Sequence, residues 1–131
     1  MPQATTPLAV LGAGSWGTAL AIQFARAGHP TRLWGRDAAQ QTTMAAARCN
    51  TRYLPQAKFP DALIVVDRLE DAVAGVNDIL IAVPSHALRG VLIELAPLLS
   101  SSARLAWATK GFELDTGLLP HQVAKEILGT D

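Results

Sequence analysis

Val10-Leu11-Gly12-Ala13-Gly14-Ser15-Trp16-Gly17-Thr18-Ala19-Leu20 is the stretch that decides how this chain is read. It follows a short apolar run and leads into a longer run with apolar residues at helical spacing. That order predicts a strand, a tight turn and a helix. The spacing inside it is Gly-x-Gly-x-x-Gly. Gly12 lets the chain turn sharply, Gly14 leaves the backbone open to an approaching pyrophosphate, and Gly17 lets the helix pack closely on the strand. The free N–H groups and positive dipole end of the helix then face the phosphates. Glycines kept only for packing are the alternative, but all three spacings and both flanks match the phosphate-binding arrangement.

Outward from this turn, Leu8–Leu11 is apolar throughout, as a strand buried on both faces of a parallel sheet should be. A helix is expected from about Trp16 to Ala27, with Leu20, Ala21, Phe24 and Ala25 on its period and Gly28 as a left-handed cap. Thr31–Trp34 is the second strand, and it ends Leu33-Trp34-Gly35-Arg36-Asp37. A dinucleotide fold that prefers NAD usually places an acidic residue there, about 20 residues past the glycines, on the ribose 2′-hydroxyl. Asp37 has roughly that count but falls beyond the strand. It reads instead as a helix N-cap, with Gln40 completing a capping box. Arg36 then stands where a 2′-phosphate would sit, and a guanidinium can hold phosphate in a forked grip. A solvated loop cation is the alternative for Arg36, opposed by the lack of a carboxylate at Trp34 or Gly35.

Residues 38–49 are expected to form an Ala-rich helix, with Cys49 as a packing residue near its end. Residues 50–61 read as loop, with Arg52 on the surface. Leu63–Val66 is the third strand, and Asp67 is expected to cap a short helix over Leu69–Val73 that Gly75 ends. Asp78–Ser85 is the fourth strand and its exit; Pro84 breaks the strand and Ser85 caps a helix over His86–Leu99. Ligands of a doubly wound sheet lie outside the carboxyl ends of the strands, so Val83, Pro84 and Ser85 would line the cleft. His86 reads as a first-turn position without chemistry. Arg104–Ala108 is the fifth strand and opens onto Thr109-Lys110-Gly111, which puts Lys110 on the same edge as Gly12–Gly17 and Pro84. Its ammonium would meet an anionic substrate or the nicotinamide side of a cofactor; a solvated lysine is the alternative. Leu118–Leu128 is a last amphipathic helix with His121 and Lys125 on its wet face, and His29 is a solvated loop residue.

Strands alternating with helices predict an α/β fold, a Rossmann-type doubly wound parallel sheet of five strands in a single domain over residues 1–131. Half the residues are hydrophobic and 17% are charged, a balance typical of globular domains. The formal net charge is zero and no basic block occurs, so nucleic acid is not an expected partner. Cys49 is the single cysteine, which rules out an internal disulfide and fits a reducing compartment. The first seven residues are polar with two prolines, so no signal peptide is expected, and no apolar run is long enough for a membrane span. Together these lead to an expected cytoplasmic location. No metal-spaced His/Cys cluster appears, so no metal site is expected.

Val10–Ala21, Leu33-Trp34-Gly35-Arg36, Arg48-Cys49-Asn50, Tyr53-Leu54-Pro55, Val83-Pro84-Ser85-His86 and Trp107-Ala108-Thr109-Lys110-Gly111 together resemble the bacterial NAD(P)-dependent glycerol-3-phosphate dehydrogenases. The motifs run in the family's order over nearly the whole chain. The resemblance implies reduction of dihydroxyacetone phosphate to sn-glycerol 3-phosphate, and the reverse, in glycerophospholipid synthesis, with NADP or NAD as cofactor. It implies that Ser15 and Trp16 contact the cofactor pyrophosphate, that Arg36 contacts the adenosine ribose side, and that Lys110 contacts both cofactor and substrate. Gly12, Gly14, Gly17 and Pro84 complete the expected cofactor-binding set. No catalytic residue is expected within the chain, because the family's general base and most substrate contacts come from a helical C-terminal domain after the position of Asp131. The chain alone is then expected to bind cofactor without turnover, and a homodimer is the candidate assembly of the full-length protein. Two other readings stand beside this one: the cofactor domain of a 3-hydroxyacid dehydrogenase, and a dinucleotide sensor that is not an enzyme. Neither needs a lysine in a Thr-Lys-Gly element.

Overall fold

The computed structural model describes residues 7–109, 111 and 113–129. Five parallel strands form one sheet: β1 (Leu8–Leu11), β2 (Thr31–Trp34), β5 (Leu63–Val66), β6 (Asp78–Ile81) and β7 (Arg104–Trp107), in the order β5-β2-β1-β6-β7. A separate antiparallel pair joins β3 (Cys49–Asn50) to β4 (Leu54–Lys58). The helices are α1 (Ser15–Arg26), α2 (Ala38–Ala47), α3 (Leu69–Val73), α4 (Ser85–Leu95) and α5 (Pro120–Leu128).

Each strand of the sheet sends alternate side chains to opposite faces. On one face Ala9, Leu11, Ile79 and Ile81 pack against α3, and against Leu88, Val91, Leu92 and Leu95 of α4, with Val123 and Ala124 of α5 behind. On the other, Val10, Leu33 and Leu63 pack against Ala21, Ile22 and Ala25 of α1 and Met44 of α2. Leu8–Leu11 is apolar at every position because β1 is the central strand and both of its faces are covered. The chain leaves β1 toward β2 and β5, then returns to place β6 and β7 on β1's other side. That reversal opens a crevice between β1 and β6 at their carboxyl ends.

The five parallel strands fall where the sequence predicts them, and Gly28 closes α1. With φ +95, its N–H bonds to the Ala25 carbonyl, and the His29 N–H bonds to the Phe24 carbonyl. This paired arrangement satisfies two otherwise orphaned carbonyls of the last turn. His29, His121 and Lys125 are exposed as expected.

Several local expectations are corrected. Helix α2 stops at Ala47, and Arg48 takes a left-handed conformation with φ 56. The Arg48 carbonyl accepts the Phe59 N–H at 2.7 Å, and the Arg48 guanidinium donates to the Pro60 carbonyl at 2.8 Å, which holds the turn. Cys49 therefore lies on a short strand rather than in a helix, and residues expected as loop form β4. Asp67 does not cap α3, whose N-cap is Arg68 with no side-chain bond. Ser85 is the first residue of α4 rather than its cap, since Pro84 occupies the cap position. Helix α4 ends at Leu95, and Ala96–Leu98, with Pro97 inside it, tightens into a 3₁₀ turn. The last helix begins at Pro120, two residues later than expected.

Candidate functional site

The carboxyl ends of β1, β2, β6 and β7 open onto one cleft of about 1120 Å³. The turn Gly12–Gly17 forms its floor, Trp34–Asp37 one wall, and Ala82–Ala87 with Ala108 and Thr109 the other. Tyr53, from the turn between β3 and β4, reaches its rim.

The three glycines have different reasons for lacking a side chain. Gly12 has φ +123, and a Cβ there would lie 2.6 Å from the Ala82 carbonyl oxygen, so it allows both the turn and the close approach of the β6 exit. A Cβ on Gly17 would collide with the Gly12 carbonyl oxygen. Gly14 differs from both. Its backbone is extended, with φ −77 and ψ −171, and a Cβ would have nothing within 4 Å among the described residues. Among the described residues, no intramolecular contact requires glycine at that position. The space its side chain would fill is part of the cleft.

Helices α1 and α4 both start at this cleft, and neither has a side-chain cap. The Thr18 N–H reaches back to the Gly14 carbonyl at 3.0 Å, and the Ala87 N–H to the Pro84 carbonyl at 2.9 Å. The N–H groups before them lie outside the helical ladder and are available to an anion or to water. By contrast, α2 starts on the rim and is capped, with the Asp37 carboxylate accepting the Gln40 N–H at 3.1 Å. The N-cap reading of Asp37 holds. The second half of the expected box does not form, because the Gln40 amide turns across to the Ala13 carbonyl at 3.4 Å.

Buried amides fix the floor and wall. Asn50 is fully buried; its amide donates to the Ala13 carbonyl at 3.0 Å and to Thr18 Oγ1 at 2.9 Å, and its oxygen accepts the Tyr53 N–H at 3.1 Å. This one side chain ties the β3–β4 hairpin to the glycine turn. Gln41 donates to the carbonyls of Leu33, at 3.1 Å, and Val66, at 2.8 Å, joining β2 and β5 where the wall begins. Its Oε1 has no hydrogen-bond partner among the described residues, and a Cβ on Gly35 would lie 2.8 Å from it. Across the cleft, the Thr109 hydroxyl donates to the Val83 carbonyl at 2.6 Å and links the exits of β6 and β7.

Beyond the cleft, Arg89 on α4 makes a forked pair with Glu113, at 2.9 and 3.0 Å, and a third contact to Glu126 on α5 at 2.9 Å. The hydrogen bonds from Arg89, and then from Thr116, hold the Glu113 carboxyl below its ordinary pKa. Bonding to both glutamates raises Arg89 above its own. The segment after β7 is thereby fastened to α4 and α5.

The structure brings together Gly12, Gly14, Ser15, Trp16, Gly17, Arg36 and Pro84 in the one cleft. Trp16 is 60% exposed there. Lys110 lies outside the described residues. His86 lines the cleft and is exposed. Asn50, Gln40 and Tyr53 were not among the residues expected to build the site. The available signal for Asn50 was local: an Asn heading a turn, three residues before the N–H that it accepts.

A parallel sheet in this order, with a three-glycine turn after its central strand and two uncapped helix starts at the switch point, defines a doubly wound dinucleotide-binding domain. Residues 7–131 match the model of the NAD-dependent glycerol-3-phosphate dehydrogenase N-terminus, and the chain belongs to that family. It is 51% identical over 130 residues to glycerol-3-phosphate dehydrogenase [NAD(P)+] of Edwardsiella ictaluri, covering 97% of this chain and 38% of that protein. The crystal structure of the glycerol-3-phosphate dehydrogenase of Coxiella burnetii superposes with a TM-score of 0.92 at 43% identity, over 96% of this chain and 38% of that one. The enzyme of that name from Saccharomyces cerevisiae gives a TM-score of 0.80 at 25% identity, over 97% and 40%. The chain thus spans about 38% of the length of the bacterial relatives it matches. Among the described residues, no helix is long and apolar enough to cross a membrane, and no group of three or more metal-ligating side chains gathers.

Proposed function

We propose that this chain is the NAD(P)(H)-binding part of a dehydrogenase that interconverts dihydroxyacetone phosphate and sn-glycerol 3-phosphate. The observation that carries the reading is the empty volume above Gly14, where the uncapped starts of α1 and α4 face one cleft. A dinucleotide pyrophosphate needs both features, a backbone it can approach and N–H groups aimed at it. The bound nicotinamide would supply or accept the hydride.

In this reading the backbone of Gly14, Ser15 and Trp16 holds the pyrophosphate, and Gly12 and Gly17 shape the turn that presents it. Arg36 meets the adenosine ribose and its 2′-phosphate, so NADP is used at least as readily as NAD. Pro84 lines the wall opposite Arg36. Lys110 contacts cofactor and substrate phosphate. The proton donor and most substrate contacts are assigned to the part of the relatives' length that this chain does not span. Positioning of the substrate supplies about 7–11 kcal/mol of such a reaction and a proton donor about 10²–10⁴-fold in rate, so the chain alone should bind cofactor without turnover. A cytoplasmic location, a role in glycerophospholipid synthesis and a homodimeric full-length protein belong to the same proposal.

The test is NADPH oxidation with dihydroxyacetone phosphate, by the full-length enzyme and by this chain side by side. The full-length enzyme should turn over and this chain should not; equal rates would overturn the division of labour. In the full-length enzyme, Lys110→Ala should lower kcat/KM for dihydroxyacetone phosphate well beyond its effect on cofactor affinity. Arg36→Asp should weaken NADPH more than NADH, by about 1–3 kcal/mol for a charge-assisted contact. Equal losses would remove Arg36 from the ribose site.

A further inference from the structure

Gly90 lies within α4, at a position where glycine is among the poorest helix formers. Its backbone does not explain it, since its φ is not positive and the helix runs through it unbroken. The space around it does. A Cβ built on Gly90 would lie 3.1 Å from Nη2 of Arg36, and among the described residues no other atom lies within 4 Å outside its own helix and chain neighbours. The Arg36 guanidinium therefore rests against the bare backbone of α4, where any other residue would present a side chain. The two residues come from different crossovers: Arg36 follows β2 and Gly90 follows β6.

The charged residues next to this pair in sequence, Asp37 beside Arg36 and Arg89 beside Gly90, are engaged elsewhere. Asp37 caps α2 through the Gln40 N–H. Arg89 is held by Glu113 and Glu126. Among the described residues, no side-chain hydrogen bond or ion pair engages Arg36, and it lines the cleft. A long cation on a loop would otherwise spread over many rotamers. Contact with the bare helix at Gly90 gives the exposed Arg36 side chain a seat along α4 at the edge of the cleft, and a seat of this kind narrows its rotamers before a ligand arrives.

We propose that Gly90 is a positioning residue for Arg36, and that its missing side chain sets how strongly the site distinguishes a 2′-phosphate from a 2′-hydroxyl. This inference rests on the reading of Arg36 in the proposed function. A bulky residue at position 90 would push the guanidinium off its seat. An acidic one would pair with it and repel the phosphate. An alanine asks only a few tenths of an ångström from the flexible end of the arginine. It should therefore keep the cofactor preference and raise Tm by a few degrees through better helix propensity.

The experiment measures Kd for NADPH and NADH by fluorescence titration of the full-length protein and of Gly90→Leu, Arg36→Ala and the double variant. Gly90→Glu provides a second route should the leucine fail to fold, since Gly90 is partly exposed. Gly90→Leu and Gly90→Glu should each lower the NADPH-over-NADH preference about tenfold, the size of one charge-assisted phosphate contact. In the Arg36→Ala background the same changes should leave the preference where it is. Equal loss of both cofactors, or an undiminished effect without Arg36, would overturn the role of Gly90. An Arg36→Ala variant with wild-type preference would instead overturn the reading of Arg36, and the inference with it.

Discussion

Replacing Asn50 by alanine should cost both stability and cofactor affinity, and the size follows from what each of its partners is left with. Thr18 is fully buried and its Oγ1 would lose the amide donor at 2.9 Å. The Ala13 carbonyl would lose its 3.0 Å bond and keep only the longer 3.4 Å contact from Gln40. The Tyr53 N–H would also lose its acceptor, but Tyr53 is 44% exposed and water can replace it. One buried group fully orphaned and a second half-satisfied amount to about 2–4 kcal/mol, at about 1–3 kcal/mol each. In urea the midpoint should fall by about 1–2 M with an unchanged slope, for a mid-range slope of about 2 kcal/mol/M. NADPH affinity should fall with it, because the Ala13 carbonyl that Asn50 holds belongs to the glycine turn. Asn50→Asp keeps the acceptor for Tyr53 but cannot donate to Ala13 or Thr18, and should be at least as damaging at neutral pH. A loss below about 0.5 kcal/mol in Asn50→Ala would be no more than an ordinary surface substitution. It would refute the claim that this amide anchors the turn.

Gly17→Ala should destabilise the domain by about 1–3 kcal/mol, as overpacking does, because the new Cβ meets the Gly12 carbonyl oxygen; a thermal melt reads the loss. Arg89→Met should flatten the acid limb of stability. The Glu113 carboxyl is held below its ordinary value of 4.5, mainly by its hydrogen bond to Arg89. Its contribution is therefore present above that value and lost as pH falls through the lower folded one. Urea midpoints from neutral pH down into the acid range should fall less steeply in the variant than in the parent; parallel curves would count against the pairing.

The parts of the molecule that were legible in the sequence are those where one local rule acts alone. Gly28 had a single job, closing a helix, and it does so through two backbone bonds. The apolar run at Leu8–Leu11 reported burial directly, whereas in Leu63–Val66 it marked the strand but not its burial, since β5 is an edge strand with Ile64 exposed. The β3–β4 hairpin carried no such signal. Leu54-Pro55-Gln56-Ala57-Lys58 contains a proline and only weak alternation, and its partner strand is two residues long. What fixes that hairpin is tertiary: Arg48 in a left-handed turn and Asn50 bonded to residues far away in sequence. The Gln40 amide was misassigned for the same reason. A local capping box competes with a carbonyl that only the fold brings near, and the Ala13 carbonyl wins. The cleft residues from the glycine turn and from Pro84 were visible because the strand-end rule places them. The seat of Arg36 on Gly90 was not, because nothing in either stretch of sequence refers to the other.

The most direct test of the central claim is titration of NADPH into this chain and into Gly14→Val. The extended backbone of Gly14 accepts any residue and its Cβ has nothing within 4 Å among the described residues, so the variant should keep the circular dichroism spectrum of the parent and lose only the few degrees of Tm that a poorer N-cap costs. The added isopropyl group would occupy the space assigned to the pyrophosphate. Saturable quenching of tryptophan fluorescence should be seen in the parent and should weaken by on the order of 100-fold in the variant, about 2.7 kcal/mol. Equal affinities in two equally folded proteins would contradict a pyrophosphate site above Gly14.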